Sequence, residues 1–360
     1  MKKVFIILLI LAVIGVLGSF VFYRNSLKAM SDEDEKVLVE IEDKSSMDDI
    51  AKLLKEKDLI HNDFTFKVYC KLKNKKSIKA GKYELNKNMD VEKIVSILEG
   101  GEVADETVTI TFLEGKNITW IAKKIAETTN NTEEDVYDLL KDEEYIDSLI
   151  SKYSFINNDI KNEDIYYSLE GYLFPDTYTF EDEDVSVKTI FELMLNKMES
   201  VLQEYEMEIS KSKYSTHELL TLASIVELEG KSSEDRSKIA RVFYNRLEKE
   251  NMPLQSDVTT YYALNLDLGD RDLNDDDLET DNPYNTGSYE TAGELPVGPI
   301  CSPGKSAIDA VINPSDDEEV EDALYFAADK NGKVYFNETN AGHNKTVEEL
   351  KDKGLWYEYE

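Results

Sequence analysis

The strongest constraint on this chain is a run of 20 residues without a charge, Val4 to Tyr23 (VFIILLILAVIGVLGSFVFY), close to its N-terminus. As a helix rising about 1.5 Å per residue, the run is long enough to cross the roughly 30 Å hydrocarbon core of a bilayer. It continues into Arg24 with no A-x-A-like site and no lipobox cysteine, so it reads as an uncleaved transmembrane anchor and not as a signal peptide. Lys2 and Lys3 precede it, and Arg24 and Lys28 follow, so the charge bias across it is small. The expected orientation, N-terminus cytoplasmic and the rest extracytoplasmic, rests on the length of the downstream region, because long domains translocate largely regardless of charge.

That downstream region is acidic. The chain has 41 Lys+Arg against 75 Asp+Glu, a formal net charge of −34, which leaves no basic surface for phosphates and argues against a nucleic-acid partner. Its 360 residues, 41% hydrophobic, suffice for two or three domains with sizeable cores. Two cysteines, Cys70 and Cys301, cannot build a disulfide framework, and spacing does not say whether they pair. With only His61, His217 and His343 besides, no metal centre is expected.

Four regions are expected: the cytoplasmic tip and anchor at 1–30, a small β/α subdomain at 31–105, a second β-then-α unit with an acidic helical connector at 106–168, and a larger mixed domain at 169–360. The fold class is α+β. Two stretches resemble each other at an offset of 71 residues: Val37–Ile41 aligns with Val108–Phe112, and Ile50–Lys52 with Ile121–Lys123. Each passes from period-two alternation to a helical period. The two units are either plain packing modules or carbohydrate-binding modules of the LysM kind. The acidic stretch Asp267 to Glu279 lacks a glycine at the sixth loop position, which an EF-hand requires, and reads as solvated.

Ser215 to Gly230 (STHELLTLASIVELEG) is the most informative segment. Ser215 and Glu218 form a capping box, Gly230 suits the C′ position, and the interior is apolar nearly all round, which predicts a buried helix. Glu227 and Glu229 fall in its last turn, where burial and the negative end of the helix dipole favour the neutral acid. Two residues apart on a helix means about 200°, so both cannot face one cleft. Ala223 and Ser224 leave room beside Glu227, whereas Ile225 and Val226 beside Glu229 look like core, which favours Glu227 as a general acid. The competing reading is that either glutamate accepts structural hydrogen bonds, or pairs with Arg236, Arg241 or Arg246 of a following helix at about 234–248. That helix presents Ile239, Val242, Phe243 and Leu247 on one face. The loops Asn282–Thr286 and Leu295–Ile300 suit either sugar recognition or plain turn chemistry. No G-x-S-x-G, P-loop, H-E-x-x-H or dinucleotide motif occurs in a suitable context, which leaves carboxylate chemistry.

Leu169–Tyr178 (LEGYLFPDTY), Leu222–Glu227 (LASIVE), Val242–Leu247 (VFYNRL), Leu254–Asp257 (LQSD), Tyr284–Thr286 and His343–Asn344 together resemble, in residue and order, the MltG (YceG-like) endolytic murein transglycosylases. The resemblance covers about residues 37–356 plus the anchor. It implies a membrane-anchored enzyme with a LysM-like subdomain that acts on peptidoglycan glycan strands. The bond cut would be MurNAc-β-1,4-GlcNAc within nascent strands, leaving 1,6-anhydro-MurNAc ends. The family's catalytic glutamate falls on Glu227, working alone and without metal or organic cofactor. Glu170, Gln255, Asp257, Tyr284 and Asn285 are then expected to line the cleft, and peptidoglycan synthases of the elongation or division machinery are candidate partners. The loop Glu294–Pro299 departs from the family's usual Leu-Pro-Pro-Gly-Pro. Two alternatives stand: a muramidase that uses water, with Asp257 or Glu170 as its second carboxylate, and a noncatalytic wall-binding scaffold.

Overall fold

The computed structural model describes residues 15, 18–75, 78–100 and 107–356. Of the expected anchor, residues 4–14, 16 and 17 lie outside the described residues, and 18–26 are helical. Among the described residues no helix is long and apolar enough to cross a membrane. The chain divides into two compact units between Glu106 and Thr107.

The first unit follows the order β-α-α-β-α. Strand β1 (Lys36–Ile41) pairs antiparallel with β2 (Gly81–Asn86), Lys36 opposite Asn86 and Ile41 opposite Gly81. Alternation along β1 turns Val39 and Ile41 inward and leaves Lys36 and Glu40 in water. Helix α1 (Met47–Glu56) starts at a capping box between Ser46 and Asp49, and α2 (Asp63–Leu72) starts at Asn62, whose side chain accepts the Thr65 N–H. Helix α3 (Val91–Gly100) closes the unit. Ile50, Leu54, Phe66, Tyr83, Leu85, Ile94 and Leu98 are its core, with Tyr23 and Leu27 packed on it. Cys70 is free and buried there, and burial pushes its thiol up to about 11.

The second unit begins with the same strand-then-helix step. Here β3 (Val108–Thr111) pairs antiparallel with β4 (Thr177–Phe180), and α4 (Ile118–Thr128) starts at Asn117. Regions 106–168 and 169–360, separate by composition, therefore share one compact unit and one core. The acidic connector is helical as expected, in α5 (Glu133–Lys141) and α6 (Glu143–Lys152), but it is not merely solvated. Val136, Leu140, Ile146 and Leu149 recur at helical spacing and bury one stripe in the main core, leaving the carboxylates on the outer face. Helices α7 (Val187–Gln203) and α8 (Glu206–Lys211) follow.

Helix α9 (Thr216–Glu229) runs through the middle of this core, with every residue from Leu219 to Glu227 buried. Helix α10 (Ser233–Tyr244) packs its predicted face inward, then widens into a π-helical turn, Asn245–Glu250, where the sequence suggested a regular helix to about 248. After it come α11 (Asp257–Ala263), the short α12 (Asp275–Leu278) and α13 (Lys305–Ile312). The antiparallel pair β5 (Tyr325–Ala328) and β6 (Val334–Asn337) is followed by α14 (Asn340–Asp352).

Candidate active site

Helix α9 begins as its sequence indicates: Ser215 Oγ accepts the Glu218 N–H at 3.2 Å, and the Glu218 carboxylate accepts the Ser215 N–H at 2.7 Å. Its end differs from expectation. Gly230 has φ of −103°, outside the left-handed region, and is a glycine for another reason. A Cβ there would lie 2.6 Å from Cγ of Arg236 and 3.1 Å from its backbone. The bare backbone lets Arg236 close over the helix end, where its Nε donates to Gly230 O at 3.0 Å and its Nη2 to Glu227 Oε1 at 2.5 Å.

Glu227 is enclosed, its side chain 5% exposed and that of Arg236 12%. Its second oxygen, Oε2, accepts the Gly304 N–H at 3.0 Å. Gly304 is the N-cap of α13, so this carboxylate lies at the negative end of its own helix and the positive end of another. Burial raises the Glu227 pKa above the ordinary carboxylate range, while the Gly304 N–H and Arg236 pull it down, and nearby Glu114 raises it again. The Arg236 pairing anticipated as a structural role is thus present, on a carboxyl that still holds its proton more tightly than a solvated one.

The room expected beside Glu227 at Ala223 and Ser224 is filled by chain. Ser224 Oγ accepts the Ile300 N–H at 3.0 Å and donates to Thr221 O at 2.7 Å, and the Cys301 thiol donates to Ser224 O. Cys301 is free and buried, and burial pushes its thiol well above the usual range. The segment 300–304 is fastened in turn to the connection 112–117. Gly115 N–H donates to Ser302 O and Ser302 N–H to Lys116 O, both at 2.9 Å.

Glu229 turns to different neighbours. Its Oε1 accepts Ser256 Oγ–H at 2.6 Å, and burial pushes its carboxyl up to about 7. Glu170, expected in the cleft, is 1% exposed. It accepts the Ile118 N–H at 3.0 Å and the Tyr262 hydroxyl at 3.0 Å, and burial raises it to about 7. Tyr284 is fully buried between Tyr166 and Tyr262, with ring centroids 4.9 and 4.8 Å away. Asn285 donates to Leu278 O and Thr280 O and accepts from Thr260 Oγ1 and Gly287 N–H, which uses its amide completely. These three side chains hold loops together; Gln255 and Asp257 are the exposed members of the expected set. Gln255 has φ of +50°, a strained conformation for a residue with a side chain, and its N–H donates to Thr286 O at 2.9 Å.

The motif loops meet around α9. Gly171, at φ +78°, leaves space for Pro299, whose Cβ would sit 2.3 Å from any Cβ at 171. His217 Nε2–H donates to Val297 O at 2.9 Å, and its Nδ1 lies in hydrogen-bond contact with the Tyr172 hydroxyl at 2.8 Å. Segments 169–178, 254–257, 282–286 and 295–304 are thus tied to one helix and to one another.

The YceG-like family model matches residues 39–349. The chain belongs to the YceG-like family. It is 40% identical over 336 residues to a protein of Bacillus subtilis (strain 168) named endolytic murein transglycosylase, covering 92% of this chain and 90% of that protein. A Streptococcus pneumoniae serotype 2 protein of the same name is 34% identical over 361 residues, and this chain spans 64% of its length. A crystal structure of a YceG-like protein from Listeria monocytogenes superposes with a TM-score of 0.61 at 38% identity, covering 87% of this chain and all of that one. In this YceG-like chain, Glu114 beside Glu227 was not singled out by sequence. The available signal was an acidic residue just before a glycine in the turn after a strand; in the structure that turn meets the end of α9 at Glu227 and Leu228.

Proposed function

We propose that the chain is a lytic transglycosylase of murein, cutting the MurNAc-β-1,4-GlcNAc bond inside nascent strands and leaving 1,6-anhydro-MurNAc ends. Supporting the class is a relative of that name that is 40% identical over 92% of this chain, with others at 34%. The observation that carries the mechanism is the divided surroundings of Glu227: burial and Glu114 favour its acid form, Arg236 and the Gly304 N–H its carboxylate. Such a group serves first as acid and then as base. In the first step its O–H bond breaks and the proton goes to the glycosidic oxygen, which leaves with the bonding electron pair. In the second, the Glu227 carboxylate takes the proton of the muramyl C6 hydroxyl as that oxygen bonds to the anomeric carbon.

A water-using muramidase would need a second carboxylate free to face the sugar. Glu170 is enclosed by Ile118 and Tyr262, which speaks against it in that role, and leaves the exposed Asp257 as the second carboxylate of that alternative. Glu227→Gln preserves shape and removes the acid, so release of glycan ends should fall at least about a hundredfold, within the range for general acid catalysis. Mass spectrometry of the wild-type digest should show anhydro ends; reducing ends would refute the transglycosylase reading.

The anchor and the wall-binding role belong to the same proposal. The run Val4–Tyr23 would hold the chain in the cell membrane with both compact units extracytoplasmic, and protease added to spheroplasts should then degrade them. The β-α-α-β order with one antiparallel pair supports a LysM-like role for 31–105, which sedimentation with insoluble murein would test.

A further inference from the structure

Glu114 is exposed on the connection 112–117 between β3 and α4, and no hydrogen bond or ion pair ties its carboxylate among the described residues. Its position is nonetheless defined. A Cβ on Gly304 would lie 2.0 Å from Glu114 Oε1 and 2.1 Å from its Cδ, so this carboxylate occupies the space that residue 304 leaves by having no side chain. The N–H of the same Gly304 holds Glu227 Oε2 at 3.0 Å. Gly115, next in sequence and at φ +72°, would bring a Cβ to 3.7 Å from Glu227 Cγ. Two glycines thus seat an unpaired carboxylate against the backbone that grips Glu227.

Three elements face Glu227, and two of them bring a charge. Arg236 approaches from α10 with a positive charge and Glu114 from the connection after β3 with a negative one, while the segment before α13 brings the Gly304 N–H and the uncharged Cys301 thiol. Lys116 and Glu170 lie one step further out, both acting on Cys301. Arg236 and the Gly304 N–H alone would leave Glu227 ionised more readily, the wrong state for the first step. Burial opposes them first, and Glu114 is the charge that does so.

We propose that Glu114 is a positioning residue for the reaction: seated on Gly304 beside Glu227, its negative charge keeps the Glu227 proton in place until the glycosidic oxygen takes it. The role in catalysis rests on the transglycosylase reading; the electrostatic coupling does not.

The coupling is read directly on the full chain with 13C-labelled glutamate. The Glu227 carboxyl signal, identified as the one missing in Glu227→Gln, is titrated by NMR in wild type and in Glu114→Gln. The midpoint should fall by about half a unit or more in Glu114→Gln, about threefold in proton affinity. A midpoint that stays or rises overturns the proposal. Gly304→Ala should lower it too, by displacing the Glu114 carboxylate, and should have no such effect when Glu114 is already Gln. In turnover, the alkaline limb of kcat/KM should move to lower pH by the same amount in Glu114→Gln, whereas a structural role would lower activity equally at every pH. Reducing ends from wild type would count against the transglycosylase reading and leave the titration result standing.

Discussion

The Glu170 carboxyl shows what an enclosed acid does to a fold. It caps the start of α4 through the Ile118 N–H and ties it to α11 through Tyr262, yet burial raises it from 4.5 to about 7. Because the folded pKa lies above the unfolded one, the folded chain binds this proton more tightly. Its contribution is full below about 4.5, and stability declines as pH rises toward about 7, by an amount on the order of 3 kcal/mol if the whole shift is realised. Thermal melts of wild type should therefore drop between pH 5 and 8, and Glu170→Gln, which has no proton to lose, should flatten that dependence. At this scale the sequence is most legible where physics is local. A glutamate in the last turn of an apolar, capped helix has to be buried, and Glu227 is. It is least legible for Glu170, Tyr284 and Asn285, because a polar side chain in a loop looks the same whether it meets a ligand or ties that loop to other parts of the fold.

Among the elements, the end of α9 is the most demanding. A methyl at position 230 would press on Arg236, the residue that pairs with Glu227. Gly230→Ala should cost about 1–3 kcal/mol by overpacking, seen as a lower urea midpoint, and should reduce turnover more than the stability loss accounts for; unchanged turnover would detach Arg236 from the mechanism. A capping box reveals α9 and an apolar face reveals α10 in advance, since both signals are local. What they miss is long-range. The pairing of β3 with β4 joins residues 66 to 72 apart, and no local pattern reports it. The acidic composition of α5 and α6 masks an apolar stripe at three- and four-residue spacing that the core requires. The space beside Ser224 invited a ligand, yet it is taken by Ile300 and Cys301, which arrive from 76 and 77 residues downstream.

At the scale of the molecule, each unit carries its own buried cluster, and the second holds α9 together with every loop tied to it. Residues 107–360 produced alone should therefore melt in one cooperative transition and still release ends from soluble glycan; a broad, non-cooperative melt would show that the first unit completes the core. The second strand-then-helix copy is a local pattern and is readable in the sequence, whereas the union of 107–168 with the rest depends on β4 and on the buried faces of α5 and α6. The two thiols, one in each unit, have a practical consequence. Both are buried and held in the unreactive protonated form, Cys301 against the Ser224 carbonyl and Cys70 within the first core. The native chain is therefore silent to maleimide dyes, and a single cysteine engineered at a surface position such as Leu268 would accept a fluorophore with both natural ones left in place.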